Sequence, residues 1–168
     1  MSATNSHGTP APASCVTTQL EIPSDWTDLN GHMNVAYYVL AFDRATDTLY
    51  DALGIGWDYL ERERKSVFTL AMNVDYLREV MAGSRVRIES RLLDHDHKRI
   101  HYFHAMHDAR EGWLAATNEL VAMHVDMATR RNSPFARGTQ DRLAATRAAH
   151  GKTPPPVQVG RKLGLRRA

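Results

Sequence analysis

The sequence has little cysteine, little net charge and no long apolar run, and each of these absences excludes a class of protein. The single cysteine, Cys15, cannot form an internal disulfide, which fits a reducing compartment. A formal net charge of +2 is too small to predict nucleic-acid binding. No stretch approaches the roughly 18 consecutive apolar residues of a membrane-spanning helix, and the N-terminus lacks the basic and apolar regions of a signal peptide. We therefore expect a soluble, cytoplasmic protein without a nucleic-acid or membrane partner.

The composition is that of an ordinary globular domain. Hydrophobic residues make up 43% and charged residues 24% of the 168 positions, which is enough apolar side chain for one buried core. Residues 1–16 are rich in Ser, Thr, Ala and Pro, and residues 151–168 carry three consecutive prolines and a basic end. Both ends are expected to be flexible. Residues 17–150 are expected to form a single domain.

The apolar spacing predicts one strand, one long helix, four strands and a closing helix. The long helix is expected to begin after an Asn34 cap and to end at Gly54, since apolar residues recur three and four apart between them. Four segments of alternating apolar residues follow, and the short turns between them fit an antiparallel meander. The simplest arrangement is an α+β fold in which a sheet of about five strands curls around the helix. The outer face of that sheet needs cover, and dimerisation is the expected source.

The segment DLNGHMNVAYY, residues 28–38, places a carboxylate just before the long helix. The first amides of a helix have no intrahelical partner and lie at the positive end of its dipole, so they can help to hold a carboxylate that is directed at a ligand. An Asp before a helix is more often only a cap. The residues alone leave both interpretations of Asp28 open.

Together, this segment and the element order resemble the hot-dog fold thioesterases of the hydroxybenzoyl-CoA thioesterase type, over about residues 17–150. The resemblance is strongest to the betainyl-CoA thioesterases of carnitine breakdown, in the segments WTDLNGHMNVAYYVLAFDRATD, DYLREV, HKRIHYFHAMHD, LAATNEL and HVDMATRR. It implies a hot-dog fold, hydrolysis of a small acyl-CoA thioester to the free acid and CoA, and no cofactor. It also implies a homodimer or homotetramer with the site at the subunit interface.

The resemblance assigns roles to residues around the helix start. Asp28 corresponds to the catalytic carboxylate, either as nucleophile or as general base. His32 orients that carboxylate or lines the pocket, while Asn34 caps the helix or contacts the acyl group. The backbone amides of Asn34 and Val35 are the candidate oxyanion donors by position. The residues expected to contact substrate are Trp26, Gly31, Tyr38 and Asn73.

The phosphates of CoA call for basic side chains along its route. The candidates are two pairs, Lys98 with Arg99 and Arg130 with Arg131, although charge pairs in loops are often only solvated edges. A quaternary ammonium acyl group would favour an aromatic cage, for which the nearby aromatic residues are Trp26, Tyr37, Tyr38, Trp57 and Tyr59.

The sequence also bears on three alternative functions: metal binding, enoyl-CoA hydration and acyl-CoA binding without catalysis. The histidines of KRIHYFHAMHD alternate between the two faces of a strand and cannot converge on one ion, so no metal site is predicted. Hot-dog enoyl-CoA hydratases use an Asp with a His five positions on, whereas His32 is four positions after Asp28 and Met33 occupies the fifth. A non-catalytic acyl-CoA-binding module would keep the pocket without needing Asp28.

Overall fold

The structure, a computed structural model, describes residues 14–164. The predicted order of one strand, one long helix, four strands and a closing helix is confirmed, with three short elements added, one of them a 3₁₀ turn at Ser24–Trp26. The elements in chain order are β1 (Val16–Glu21), α1 (Val35–Leu53), α2 (Trp57–Glu63), β2 (Lys65–Tyr76), β3 (Arg85–His95), β4 (Arg99–Asp108), β5 (Leu114–Asp126), β6 (Arg131–Asn132) and α3 (Arg137–His150).

The strands form one antiparallel sheet in the order β1-β3-β4-β5-β2, and the short β6 pairs with β5. The predicted meander is therefore correct for β3, β4 and β5 and wrong for β2, which pairs with β5 and lies at the far edge. Short connections keep β3, β4 and β5 adjacent, because a tight turn brings the next strand back alongside the one before it. The longer stretch after β2 instead packs against the turn before α1, where the Met33 amide donates to the Val80 carbonyl (2.7 Å).

Helix α1 is held against the inner face of the sheet by a continuous apolar stripe. Its side chains share two core clusters with inward-facing residues of the strands. Local signals fix both ends, as predicted: the Asn34 side chain accepts from the Ala36 amide (3.0 Å), and Gly54 adopts a left-handed conformation with φ of 67°. The apolar spacing extends to Val35 and Ala52 at the two ends of the helix, but both residues are exposed. Val35 begins the helix and lies beyond the sheet's cover.

A buried histidine ties α1 to the centre of the sheet. His104 of β4 is fully buried, with Nδ1 2.7 Å from Ser90 Oγ and Nε2 3.0 Å from Thr46 Oγ1. Its ring stacks on Phe42, with the ring centres 5.8 Å apart. Burial lowers the pKa of His104 to about 3, so the imidazole is neutral at pH 7.

Strand β2 carries one extra residue in its middle. Thr69 pairs with Ala122 and Ala71 pairs with Val121, which leaves Leu70 as a β-bulge. The bulge keeps Thr69 on the inner face together with Met72, although the two are an odd number of residues apart. The outward edge of β2 has no neighbouring strand in the described part of the chain.

The outer face of the sheet is crossed by residues 152–164, here called the C-terminal segment. The Arg91 guanidinium donates to two backbone carbonyls at the start of the segment (3.3 and 3.1 Å), and the Gly160 amide donates to the Glu119 carboxylate (2.7 Å). Phe103 pairs in register with both Arg91 and Glu119 and is only 1% exposed. Part of the cover expected from dimerisation is thus supplied by the chain itself.

Within residues 14–164, no helix is both long enough and apolar enough to cross a bilayer.

Candidate active site

The Asp28 segment is a tight turn fixed by its own backbone. The Asp28 amide donates to the His32 carbonyl (2.9 Å), and the Gly31 amide donates back to the Asp28 carbonyl (3.0 Å). Thr27 and Met33 close the turn as a β-bridge. Gly31 has φ of 78°, a conformation that any side chain would strain. The turn that presents Asp28 therefore favours a residue without a Cβ at this position, and contact of Gly31 with substrate stays a prediction.

One oxygen of the Asp28 carboxylate is fixed and the other remains available. Oδ1 accepts from the Asn30 amide (2.8 Å), a short contact that orients the side chain. Among the described residues, no donor lies within hydrogen-bond distance of Oδ2. The residue is exposed to solvent, yet it borders a cavity and does not point away from the protein.

This cavity, here called the Asp28 cavity, has a volume of about 420 Å³. Three parts of the chain enclose it: the Asp28 turn, the first turn of α1 and the end of β2 with the residues after it. Its lining residues are Asp28, Asn30, His32, Met33, Val35, Tyr38, Tyr76, Leu77, Arg78 and Glu79. The fold therefore brings Asp28, His32 and Tyr38 together at the helix start, as the sequence predicted.

The two predicted oxyanion donors differ in availability. The Asn34 amide already donates to the Trp26 carbonyl (2.9 Å), which removes it from the predicted pair. The Val35 amide has no intrahelical partner and no other acceptor within the described residues, and Val35 borders the cavity. The Asn34 side chain acts as the helix cap, the structural alternative considered for it.

His32 and Tyr38 line the cavity in different ways. His32 places Nε2 3.3 Å from the Glu79 carboxylate, so its side chain does not orient Asp28 directly. It positions Asp28 through its backbone carbonyl instead. Tyr38 is 5% exposed, its hydroxyl donates weakly to the Arg78 carbonyl (3.4 Å), and its ring meets Tyr76 edge to face. Burial raises the pKa of Tyr38, which keeps the phenol protonated as a hydrogen-bond donor.

The sequence analysis missed the residues that follow β2. Tyr76, Arg78 and Glu79 line the cavity, and the Tyr76 hydroxyl lies 3.4 Å from the Val35 carbonyl. Arg78 places its guanidinium 4.6 Å from the ring centre of Trp113 and brings positive charge to this rim. No local pattern relates these positions to Asp28, because they meet only through the pairing of β2 with β5.

Two predicted substrate contacts lie away from this cavity. Trp26 is 5% exposed, stacks on Tyr37 (5.2 Å between ring centres) and already carries the Arg44 guanidinium on its ring (4.8 Å). Asn73 lies on the outer face of the sheet, where its amide donates to the Arg161 carbonyl of the C-terminal segment (3.4 Å). The structure does not bring either side chain to Asp28.

The four basic residues predicted to contact CoA gather at the opposite end of the sheet. Lys98 Nζ is 3.4 Å from the Asn132 side chain, and Arg99 forms an ion pair with Asp96 (2.7 Å). Arg130, just before the Arg131 of β6, places its guanidinium 5.7 Å from the ring centre of Phe68, near the start of β2. These residues and the Asp28 cavity thus lie near the two opposite ends of β2.

No group of three or more His, Cys, Asp or Glu side chains in residues 14–164 is placed to bind a metal ion. The chemistry offered by the site is that of one carboxylate oxygen and one backbone amide, set at the positive end of a 19-residue helix.

Comparison with known proteins places this site in context. A family model described as the thioesterase-like superfamily matches residues 22–143. The betainyl-CoA thioesterase of Pseudomonas aeruginosa is 37% identical over 152 residues, which cover 89% of this chain and 96% of that protein. A Staphylococcus aureus hypothetical protein in complex with CoA has a TM-score of 0.85 at 25% identity, and a putative thioesterase from Pseudomonas putida has 0.79 at 32%. Both structural alignments cover 95% of this chain and 100% of the other.

Proposed function

The chain belongs to the thioesterase-like superfamily and is an acyl-CoA thioesterase, and we propose that the thioester it hydrolyses is betainyl-CoA. The products would be betaine and free CoA, as in the breakdown of carnitine. The identity with a betainyl-CoA thioesterase along almost its whole length supports this substrate. A cytoplasmic location remains a prediction.

The observation that carries the mechanism is the Asp28 carboxylate at the rim of a cavity, beside the start of α1. With Oδ1 fixed by the Asn30 amide, Oδ2 is the oxygen that acts. As a general base it takes a proton from water, whose oxygen then attacks the thioester carbonyl; as a nucleophile it attacks the carbonyl itself and water cleaves the resulting anhydride. In either case the C–S bond breaks and the CoA thiolate receives a proton.

The Val35 amide is placed to stabilise the negative charge that develops on the carbonyl oxygen. It is the first amide of α1, and the helix dipole adds to its positive potential. Loss of one such donor typically lowers the rate by about 10²–10³-fold. The neutral phenol of Tyr38, whose hydroxyl donates weakly to the Arg78 carbonyl, borders the same cavity.

Substitution of Asp28 by Asn tests the mechanism with the least change of shape. The amide side chain can still accept from Asn30, so the turn should persist, while the charge needed for attack or proton transfer is lost. We expect CoA release from betainyl-CoA to fall by about 10²–10⁴-fold. Asp25→Asn is the matched control, since Asp25 is an exposed acid three residues before Asp28 that does not line the Asp28 cavity, and it should retain activity.

The same experiment separates the two alternative functions. A non-catalytic acyl-CoA-binding module would bind betainyl-CoA without releasing CoA in either the wild-type or the Asp28→Asn protein. An enoyl-CoA hydratase would add water to an unsaturated acyl-CoA and leave the thioester intact. An active wild-type thioesterase that loses nothing on Asp28→Asn would refute the assigned role of this residue.

We also propose that the active form is at least a homodimer, joined along β2. Within the described residues this strand is one of the two edges of the sheet, β1 being the other, and it exposes Phe68 (39%), Leu70 (54%) and Met72 (46%). An exposed apolar edge favours pairing with another strand. Antiparallel pairing of two β2 strands would set the start of one beside the end of the other, and so bring the basic residues near Arg130 to the partner's Asp28 cavity.

This arrangement supports the predicted roles of the basic residues in binding the CoA phosphates. Arg130→Ala should raise KM for acyl-CoA more than it lowers kcat, and the effect should weaken as salt screens the phosphates. Leu70→Lys, which places a charge on the unpaired edge, should yield monomers with little activity. Light scattering that shows the active wild-type enzyme to be a monomer would contradict the interface.

A further inference from the structure

A second cavity, of about 300 Å³, lies between α1, α2 and the first half of β2, and we call it the α1–α2 cavity. It is separate from the Asp28 cavity and shares no lining residue with it. The side chains that matter here are Asp43, Asp47, Tyr50 and Trp57. No Lys, Arg or His is among the described residues that line it.

Negative charge in this cavity has no counterpart. Asp43 and Asp47 lie one turn apart on the same side of α1, and neither forms an ion pair with any described residue. Burial, together with the charges of Asp43 and Asp51, raises the pKa of Asp47. Two like charges that repel each other across one turn favour a bound cation.

Aromatic rings border the same space. Trp57 is the first residue of α2 and is 64% exposed, which leaves its indole free for a ligand. Tyr50 is fixed by a hydroxyl–hydroxyl contact with Tyr102 (3.1 Å), so its ring is held in place beside the cavity. Faces of Trp and Tyr attract cations, and quaternary ammonium groups are recognised in this way. The ring of Trp26 is already occupied by Arg44.

We propose that the α1–α2 cavity binds the quaternary ammonium group of the acyl chain, with negative charge from Asp43 and Asp47 and aromatic faces from Trp57 and Tyr50. The proposal rests on the proposed function, because it names the residues that recognise the acyl group of that substrate. Of the five aromatic residues considered for a cage, it keeps Trp57 and not Trp26, and it adds Tyr50.

The chemistry of the substrate then requires the cavity to work with the other subunit. In betainyl-CoA the ammonium nitrogen is one methylene away from the thioester carbonyl, so the cation site must adjoin a catalytic carboxylate. Within one subunit, Val35 lies at the Asp28 cavity and Asp47 at the α1–α2 cavity. The two are twelve residues apart on α1, which is about 18 Å at about 1.5 Å per residue. The cavity is therefore completed by Asp28 of the partner subunit across the β2 edge.

Substrate preference tests the role of the charges. The neutral isostere 3,3-dimethylbutyryl-CoA replaces the ammonium nitrogen with carbon and keeps the shape. We expect the ratio of kcat/KM for betainyl-CoA to that for the isostere to fall at least about tenfold in Asp47→Asn, and further when Asp43→Asn is added. Asp58→Asn, an exposed acid of α2 that does not line this cavity, should keep the wild-type ratio. An unchanged ratio in the double variant would overturn the proposal.

Binding without turnover separates this proposal from the proposed function. Isothermal titration with glycine betaine should show weaker binding to Asp47→Asn and to Trp57→Ala than to wild type. If the wild type binds glycine betaine in this way but does not hydrolyse betainyl-CoA, the proposed function fails and the cation site stands. Equal binding by all three proteins would refute the cation site, whatever the activity.

Mixed dimers test whether the two cavities belong to different subunits. Asp28→Asn and the double variant Asp43→Asn, Asp47→Asn are refolded together in equal amounts. Random pairing makes half of the dimers mixed, and each mixed dimer has one intact site of two, so about a quarter of wild-type activity on betainyl-CoA should return. If each site lay within one subunit, the mixture would show only the average of the two separate variants, and the shared site would be excluded.

Discussion

Acid should weaken this fold through His104, and the size of the effect follows from its burial. The folded protein keeps the imidazole neutral down to about pH 3, whereas the unfolded chain takes up a proton near the ordinary value of 6.5. Between these two values the unfolded state binds more protons, so stability rises with pH and is fully present above about pH 6.5. Each pH unit below 6.5 costs about 1.4 kcal/mol of unfolding free energy.

From pH 7.5 to 5.5 the loss attributable to His104 is therefore about 1.4 kcal/mol. Burial also lowers the pKa values of His124 and His150, which steepens the total dependence in the same direction. The contribution of His104 is isolated by His104→Gln, whose side chain can still reach toward Ser90 and Thr46 but does not titrate. The variant should be less stable at pH 7.5, since ring packing on Phe42 is lost.

The measurement is urea unfolding of both proteins at pH 7.5 and 5.5, at one fixed protein concentration because the protein is proposed to be a dimer. The difference in stability between wild type and His104→Gln should shrink by about 1.4 kcal/mol between the two pH values. A difference that stays constant would mean that His104 titrates normally in the folded protein, and would refute the argument from burial.

Two further predictions concern the Asp28 turn and the C-terminal segment. Gly31→Ala should lower the stability by about 1–2 kcal/mol and lower kcat by displacing Asp28, because φ of 78° is unfavourable for alanine. Gly31→Asn should retain more of the stability and of kcat, because asparagine tolerates this conformation better. Equal losses in the two variants would show that strain is not the cause. Removal of residues 152–168 should leave the enzyme active but lower its stability by about 1–3 kcal/mol in thermal unfolding, since Phe103 loses its cover. Removal of 165–168 alone is the control. Full stability of the protein that lacks 152–168 would contradict the covering role.

Helix α1 could be predicted because its signals are local. The Asn34 cap, the apolar stripe and the Gly54 stop all lie within the helix or next to it, and the structure confirms both ends. The hot-dog fold is likewise confirmed, since one long helix and a strand-rich remainder leave few ways to bury both. Helix α2 was missed because seven residues are too few to show a helical period.

The errors arise where distant parts of the chain compete for the same group. The edge position of β2 depends on a pairing with β5 that no local pattern specifies. The Asn34 amide is a free donor by its place in the helix, yet the Trp26 carbonyl takes it. Asp28 was singled out by the resemblance, since the residues alone left a helix cap as the alternative, and its catalytic role stays a prediction. The residues opposite it across the cavity were not singled out.

The β-bulge at Leu70 determines which side chains of the first half of β2 face the interior. If Leu70 took a regular place in the pairing with β5 instead of bulging out, the residues before it would slip by one position: Thr69 would leave the inner face and Phe68 would enter it. The charged helix α1 would then face a phenyl ring where it now faces a hydroxyl. One extra residue thus keeps side chains from both halves of β2 on the inner face of the sheet, where they border two separate cavities.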